Sequence, residues 1–196
     1  CRFFDSSKGI ITSNSSKQNI IKDNEFINNG IGIDINGIGH ICEANIIKDN
    51  GVGIWVDALM ASNTDISNNS FICNNTGVNY LTANGGTSPT YPTIDSAYTE
   101  VVYGTAGPFS RIELYIDDET LCSGGNPQGM TYLGETTSNA VGFWSLTSPS
   151  LAINSYITVT EKKAGQNTSK FTPAYIITQS VNGSIYVVNS TDNVND

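Results

Sequence analysis

The sequence predicts an all-β protein in two parts. A parallel β-helix of about four rungs, the first of them incomplete, is expected over residues 1–88, and an antiparallel β-sandwich over residues 97–173. Two observations predict this fold. The phrase NEFINNGIGIDI at 24–35 returns 21 residues later as NIIKDNGVGIWV at 45–56. After Leu81 the repeat ends, and short runs of alternating apolar residues separated by turn residues follow.

The repeat predicts stacked rungs, because one rung alone cannot bury its apolar face. Apolar residues alternate within each copy, which is the pattern of a strand with one buried face. Shifts of 21 and then 24 residues align the copies, with two additional residues expected in the turn after Asn74. The alignment predicts three inward-facing columns: Ile21–Cys42–Ile66, Phe26–Ile47–Phe71 and Ile31–Val52–Val78.

The same alignment predicts a column of side-chain amides at one turn, formed by Asn29, Asn50 and Asn74. Amides stacked at the strand spacing of roughly 4.8 Å can hydrogen-bond along the column and to the turn backbone. We therefore interpret the column as a structural ladder and not as a ligand site. Cys42 is interpreted as a small hydrophobic residue within an aliphatic stack.

The pattern NxIxxNxFxxNxxGIxI resembles the right-handed parallel β-helix of the pectin-lyase-like superfamily. More narrowly, it is similar to the short repeats of NosD-type periplasmic and surface proteins. The resemblance covers about residues 1–88 and implies the fold. It implies little about activity, because this fold occurs in lyases, hydrolases, epimerases, phage tailspikes, adhesins and passive spacers.

The second half contains the runs EVVYG, RIELYI, MTYLGE, GFWSL and SYITVTE, with turn signals at roughly ten-residue spacing, which is typical of an antiparallel sandwich. In RIELYI, Ile112, Leu114 and Ile116 share one face. The segment NGGTSPTYPTID has three Gly and Pro breakers and no apolar period. It predicts a linker, placed at residues 89–96.

The wording of this half resembles the Ig-like modules that follow β-helix regions in large bacterial surface proteins. The resemblance covers about residues 93–173 and implies an extracellular or cell-surface location in a bacterium. The matching pieces are Gly104-Thr105, Ile112-Glu113-Leu114-Tyr115, Tyr132-Leu133-Gly134, Gly142-Phe143-Trp144-Ser145 and Asn167-Thr168-Ser169.

Residues 174–196 are predicted as a C-terminal hairpin and tail, with a two-residue turn in Val181-Asn182-Gly183-Ser184. The hairpin is surplus to the sandwich, and an isolated hairpin is marginal in water. It is therefore expected to pack on its own domain, to start another one or to pair with a neighbouring molecule. The candidate interface residues are Tyr175, Ile185, Tyr186 and Val187.

Few residues in the β-helix could perform chemistry. Asp34, His40 and Asp57 form a conceivable acid–base cluster, although turn decoration explains them as well. Trp55, which aligns with Asp34, could stack on a sugar ring or anchor an interface. Asp117, Asp118 and Glu119 could contact calcium, but a charged loop tip is the simpler interpretation.

No cofactor is expected, since neither a phosphate loop nor a metal-ligand spacing occurs. The four cysteines, Cys1, Cys42, Cys73 and Cys122, match no zinc or CxxC pattern, and disulfides among them are possible but cannot be assigned.

Composition restricts the partners. The net charge is −9 with nine Lys and Arg, which argues against nucleic acid and against anionic membrane surfaces. No apolar run has the length of a membrane span, so membrane insertion is not expected. Because the chain begins at Cys1, we expect a processed product or a piece of something longer, with upstream parts of that polypeptide as one candidate partner.

These observations favour a non-enzymatic extracellular structural or adhesive surface protein. Self-assembly with copies of itself is expected, through β-helix ends or strand donation, into a filament or surface layer. The alternative is a polysaccharide-binding or polysaccharide-processing protein, lyase-like or hydrolase-like, with glycan partners along the rod. A passive spacer within a larger adhesin is a third interpretation.

Overall fold

The computed structural model describes residues 1–82, 88–117, 122, 126–147 and 151–178. Within these ranges every regular element is a β-strand, and no helix is long and apolar enough to cross a membrane. The first half contains eleven short strands: β1 (Arg2–Phe4), β2 (Lys8–Ile11), β3 (Ile20–Lys22), β4 (Glu25–Ile27), β5 (Ile31–Ile35), β6 (Ile41–Glu43), β7 (Ile46–Lys48), β8 (Val52–Asp57), β9 (Asp65–Ser67), β10 (Ser70–Ile72) and β11 (Thr76–Leu81).

These strands wind into a parallel β-helix, as predicted. They form three parallel sheets with the orders β1-β4-β7-β10, β2-β5-β8-β11 and β3-β6-β9. The chain therefore makes three turns of three strands each and ends with two strands of a further rung. Phe3, Phe26, Ile47 and Phe71 are successive partners in the first sheet.

Two of the three predicted inward columns are confirmed, since the members of Ile21–Cys42–Ile66 and of Phe26–Ile47–Phe71 are partners in register and buried. The third is wrong in its last member. Val78 pairs with Ile54, and Val52 pairs with Thr76. The additional residues lie between Val56 and Ser62, one turn earlier than predicted, because Ile35 pairs with Val56 whereas Ile38 pairs with Ser62.

The corners between strands use the left-handed backbone region. Asn28 and Asp49 occupy equivalent corners with φ of 53° and 55°. Asn and Asp tolerate this region better than most residues. The backbone N–H of Asn28 donates to the carbonyl of Lys48 at 3.1 Å, and that of Asp49 donates to the carbonyl of Ile72 at 2.9 Å. Each corner is therefore bonded to the rung that follows.

The second half contains seven described strands in two antiparallel sheets with the orders β12-β13-β16 and β15-β14-β17-β18. All five runs singled out in the sequence form strands. The strands are β12 (Thr93–Ala97), β13 (Val101–Thr105), β14 (Arg111–Asp117), β15 (Gly129–Thr137), β16 (Phe143–Thr147), β17 (Tyr156–Lys162) and β18 (Tyr175–Ile176). Strand β12 lies largely within residues 89–96, where a linker was expected. The Ig-like assignment itself stays a prediction.

The two sheets share an apolar core that contains Val102, Leu114, Trp144 and Val159. The alternation in β14 explains this packing, because Ile112, Leu114 and Ile116 all join that core. The residues between them in β14 point to the opposite face of the sheet. That opposite face lies against the last rung of the β-helix.

The interior of the β-helix continues into the second half. Tyr115 and Phe171 belong to the same buried cluster as Phe26, Ile47 and Phe71. The rings of Phe71 and Phe171 meet edge to face with centroids 5.1 Å apart. The two predicted parts therefore share one of the protein's two apolar cores.

A disulfide joins the same two parts. Cys73, in the corner after β10, is bonded to Cys122, 49 residues further along the chain. Cys42 is a buried free thiol and Cys1 an exposed one. The structure thus supplies the pairing that the sequence left open.

Candidate functional site

The amides of Asn29, Asn50 and Asn74 form a continuous buried column. Asn50 Oδ1 accepts from the backbone N–H of Asn29 at 2.9 Å and from its Nδ2 at 3.1 Å. Asn50 Nδ2 donates to the carbonyl of Phe26 at 3.0 Å and to Asn74 Oδ1 at 2.8 Å. Both ends of each amide are thus engaged within the wall, which leaves them no free group for a ligand.

A second amide column, which the sequence interpretation did not single out, occupies the neighbouring corner. Asn45 Oδ1 accepts from the backbone N–H of Asn24 at 3.0 Å, and Asn69 Oδ1 accepts from that of Asn45 at 2.9 Å. The signal was present, because Asn24, Asn45 and Asn69 align under the same shifts of 21 and 24 residues.

His40 takes the ladder position at the third corner. Its Nδ1 accepts from the backbone N–H of Asn19 at 3.1 Å, as an Asn Oδ1 does elsewhere. Its Nε2 lies 2.7 Å from the carbonyl of Asn36, and a carbonyl only accepts, so this nitrogen carries the proton. The ring is fully buried. Both nitrogens are occupied by structural hydrogen bonds, so His40 is poorly suited to act as a base or as a ligand.

The other two members of the conceivable acid–base cluster also have local partners. Asp34 forms an ion pair with Lys8 at 2.5 Å and accepts from Asn36 Nδ2 at 3.2 Å. Asp57 Oδ1 accepts from the backbone N–H of Leu59 at 3.0 Å. Asn36 thus contacts both Asp34 and His40, whereas no hydrogen bond links Asp57 to either of them.

Trp55 lies on β8 between Asp34 of β5 and Asn79 of β11. The indole is half-buried, and Asn79 Oδ1 accepts from Lys170 Nζ at 3.3 Å. A half-exposed indole flanked by a carboxylate and an amide has the composition of a sugar-stacking position.

Of the weak metal candidates, Asp118 and Glu119 lie outside the described residues. Asp117 is buried, and its Oδ1 accepts from the backbone N–H of Gln128 at 3.2 Å. Of the predicted interface residues, Tyr175 lies in β18, and its Oη donates to the carbonyl of Asp95 at 3.2 Å. Ile185, Tyr186 and Val187 lie outside the described residues.

A polar cleft of about 330 Å³ lies where β6 and β9 meet β14 and β15. Arg111 is its centre, with Asp65 at 2.5 Å, Glu113 at 3.3 Å and Glu135 at 3.7 Å. Nothing in the local sequence pattern reveals it, because its lining residues come from strands far apart in the chain.

The buried carboxylate of this cleft is Glu113, which accepts from the Tyr115 hydroxyl and from the backbone N–H of Asn68 at 3.1 Å. Burial raises the pKa of Glu113 above its ordinary value, although these hydrogen bonds and Arg111 oppose the shift. Burial, reinforced by the charge of Glu113, raises the pKa of Tyr132 to about 12. The arrangement is a largely self-neutralising network that ties the two halves together.

Metal ligation finds no support among the residues that the structure describes, where no three His, Cys, Asp or Glu side chains are grouped to hold an ion. Burial, with a smaller contribution from Asp65, raises the pKa of the Cys42 thiol to about 12, so this thiol is neutral. Cys73 is consumed by the disulfide.

One family model matches the chain. Its description is "Periplasmic copper-binding protein (NosD)", and the match covers residues 1–105, which is the whole β-helix and the strands β12 and β13. A comparison with curated proteins finds no match. Since the matched region is more than half of the 196 residues and the fold is the parallel β-helix expected from the repeats, the chain belongs to the NosD family.

Proposed function

We propose that the chain is a non-enzymatic structural or adhesive β-helix protein of the periplasm or cell surface. Membership of a family described as periplasmic agrees in coarse terms with this location. A disulfide between the two halves is also typical of exported proteins. The observation that carries the proposal is the use of His40, whose two ring nitrogens both serve the wall of the β-helix.

Copper binding, which the family description names, does not fit the residues described here. Copper sites use imidazole, thiolate or thioether ligands that converge on one point. His40 is fully buried with both nitrogens engaged, and Cys42 is a buried neutral thiol. We therefore assign no role to copper in the action of this chain.

Self-association is the second part of the proposal, and the first rung is its expected surface. β1, β2 and β3 each form the edge of a sheet, and unpaired strand edges favour pairing with another chain. Large apolar side chains on these strands are exposed, namely Phe4 at 58%, Ile11 at 60% and Ile20 at 66%. The opposite end of the β-helix is covered by the second half of the chain. Strand donation by residues 174–196 remains a further route, largely outside the described residues.

Sedimentation velocity across a range of protein concentrations tests this association. We expect the wild-type chain to form a dimer whose population rises with concentration. The triple variant Phe4→Lys/Ile11→Lys/Ile20→Lys is expected to stay monomeric, because lysines on edge strands prevent pairing. The matched control is Phe109→Lys/Val141→Lys, which changes exposed apolar residues of the second half. A wild-type chain that remains monodisperse and monomeric at high concentration contradicts the proposal.

A polysaccharide-binding or polysaccharide-processing function is the second candidate, and Trp55 favours it. The indole is half-buried with Asp34 and Asn79 on the flanking strands. A glycan array with wild-type protein and Trp55→Ala, together with reducing-end assays on acidic polysaccharides, separates the candidates. Absence of both binding and turnover removes this one.

A further inference from the structure

The last rung of the β-helix should present open hydrogen-bonding groups, because no twelfth strand continues the stack within the described residues. Side chains of the second half meet them instead. At the corner of the first amide column, Gln128 Oε1 accepts from Asn74 Nδ2 at 2.9 Å and from the backbone N–H of Asn74 at 3.2 Å. Gln128 Nε2 returns a bond to the carbonyl of Asn74 at 3.0 Å. Gln128 therefore occupies the place of the next asparagine in the column.

The corner that contains His40 is completed in the same way. There the residue of the last rung is Thr64, and its backbone N–H donates to Asn167 Oδ1 at 2.8 Å. Asn167 Nδ2 donates to the carbonyl of Ala61 at 3.0 Å. The adjacent Thr168 accepts from the backbone N–H of Ile66 through its hydroxyl at 2.9 Å, and its own N–H donates to the carbonyl of Thr64 at 3.0 Å. This exchange reproduces a short piece of strand pairing.

At the remaining corner, side chains replace a backbone carbonyl. The N–H of Ala44 donates to the carbonyl of Ser67 in the next rung at 3.3 Å. Asn68 is the residue equivalent to Ala44 in the last rung, and its N–H donates to Glu113 Oε2 and to the Tyr115 hydroxyl, each at 3.1 Å. All three corners of the last rung thus have partners from the second half.

The apolar interior is closed from the same side. The rings of Tyr115 and Phe171 meet edge to face, with centroids 5.5 Å apart, beneath Phe71. Gly77 leaves room for this lid, since a Cβ there would lie 3.3 Å from the Phe171 ring and 3.1 Å from Gln128. The lid therefore needs a bare backbone at that point of the last rung.

We propose that the second half of the chain is an end cap that imitates the next rung and so prevents a second copy from stacking its first rung on the last one. The first rung of another copy is the occupant that the open end would fit, because β1 and β2 pair with their successors through the same parallel register that β10 and β11 show with their predecessors. Stacking of this kind is head to tail, so it does not close and would grow into a fibre.

This inference holds whether or not the rod is an adhesin. It also gives a direction to any self-association, since only the first rung offers open strand edges among the described strands. Contacts between two first rungs stop at a dimer, whereas contacts between first and last rungs continue. The cap therefore decides between a closed and an open assembly.

The test compares a loosened cap with an intact one by sedimentation velocity and electron microscopy. The variant Gln128→Ala/Asn167→Ala, with the Cys73–Cys122 disulfide reduced, is expected to form assemblies that lengthen with concentration. Adding Phe4→Lys/Ile11→Lys/Ile20→Lys to the same variant is expected to abolish them. The matched control, Val102→Ala under the same reduction, disturbs the core of the second half away from the β-helix and is expected to sediment as reduced wild type.

The proposal is overturned if the loosened variant sediments as reduced wild type, or if its assemblies survive the lysines on the first rung. Hydrogen exchange of the oxidised wild-type chain keeps the test decisive should the variant fail to fold. The amides of Thr64, Ile66 and Asn74 are expected to be protected like those inside the stack. Exchange as fast as that of exposed amides in β1–β3 would also overturn the cap. Growth of the loosened variant from a monomeric wild type would support the cap and refute self-association.

Discussion

Removing the disulfide between Cys73 and Cys122 is expected to lower the free energy of unfolding by about 4 kcal/mol. The bond closes a loop of 49 residues. In the chain-entropy description, a loop of that size reduces the entropy of the unfolded chain by about 14 cal/mol/K, which is about 4 kcal/mol at 25 °C. The loop spans the last corner of the β-helix and the cap, so the stabilisation acts on the contact between the two halves.

The measurement is guanidinium unfolding of the double variant Cys73→Ser/Cys122→Ser against the wild type without reductant. The matched control is Cys1→Ser, because Cys1 is exposed and free and its loss should leave the midpoint unchanged. Reductant should lower the wild type to the level of the double variant and leave the variant unaffected. A loss below about 1 kcal/mol, or a variant that still responds to reductant, would refute the loop-closure reasoning.

Three further predictions concern the wall and the cleft. Asn50→Ala should cost about 3 kcal/mol in urea unfolding, because it leaves the buried N–H of Asn29 without an acceptor, whereas Asn24→Ala at the half-exposed end of its column should cost about 1 kcal/mol. His40→Asn should stay within about 1 kcal/mol of wild type, since an amide can accept from Asn19, and His40→Leu should lose about 1–3 kcal/mol, with equal losses in both variants contradicting the ladder role. The folded pKa of Glu113 is raised, so its contribution to stability is present below the unfolded pKa and is lost as the pH rises through the folded pKa. Glu113→Gln should therefore flatten the decline in unfolding free energy above the ordinary Glu pKa, and an unchanged pH slope would count against it.

The parallel stack could be predicted because its signals are local and periodic. Alternation within a rung and the recurrence of Asn and Gly at 21 and 24 residues were enough for two of the three columns. The third failed on the choice between two glycines. Gly77-Val78 was matched to Gly51-Val52, but the structure matches Gly77 to Gly53, where a Cβ would lie 2.6 Å from the Gly77 carbonyl oxygen. Close backbone contact selects the second glycine, and no one-dimensional pattern shows that contact.

The role of His40 was within reach of the sequence, since the shifts that align the asparagines place it between Asn19 and Thr64. The end cap was not. Its contacts join Asn74 to Gln128 and Thr64 to Asn167, across 54 and 103 residues and without any period. The imitation of a rung by strands that run antiparallel becomes visible only when the carbonyls and amides are placed in space.

Neutral amides in the ladders follow from the spacing of the stack. A column of aspartates at Asn29, Asn50 and Asn74 would place unit charges about 4.8 Å apart. At an effective dielectric constant of about 20, each neighbouring pair would repel by about 3–4 kcal/mol. Where charges do occur on successive rungs they alternate in sign, as in Lys22 with Glu43 at 3.2 Å. A wall that requires neutral groups in register leaves few ionisable side chains to gather into a catalytic site, so the stability of the rod and its proposed lack of catalysis have the same physical origin.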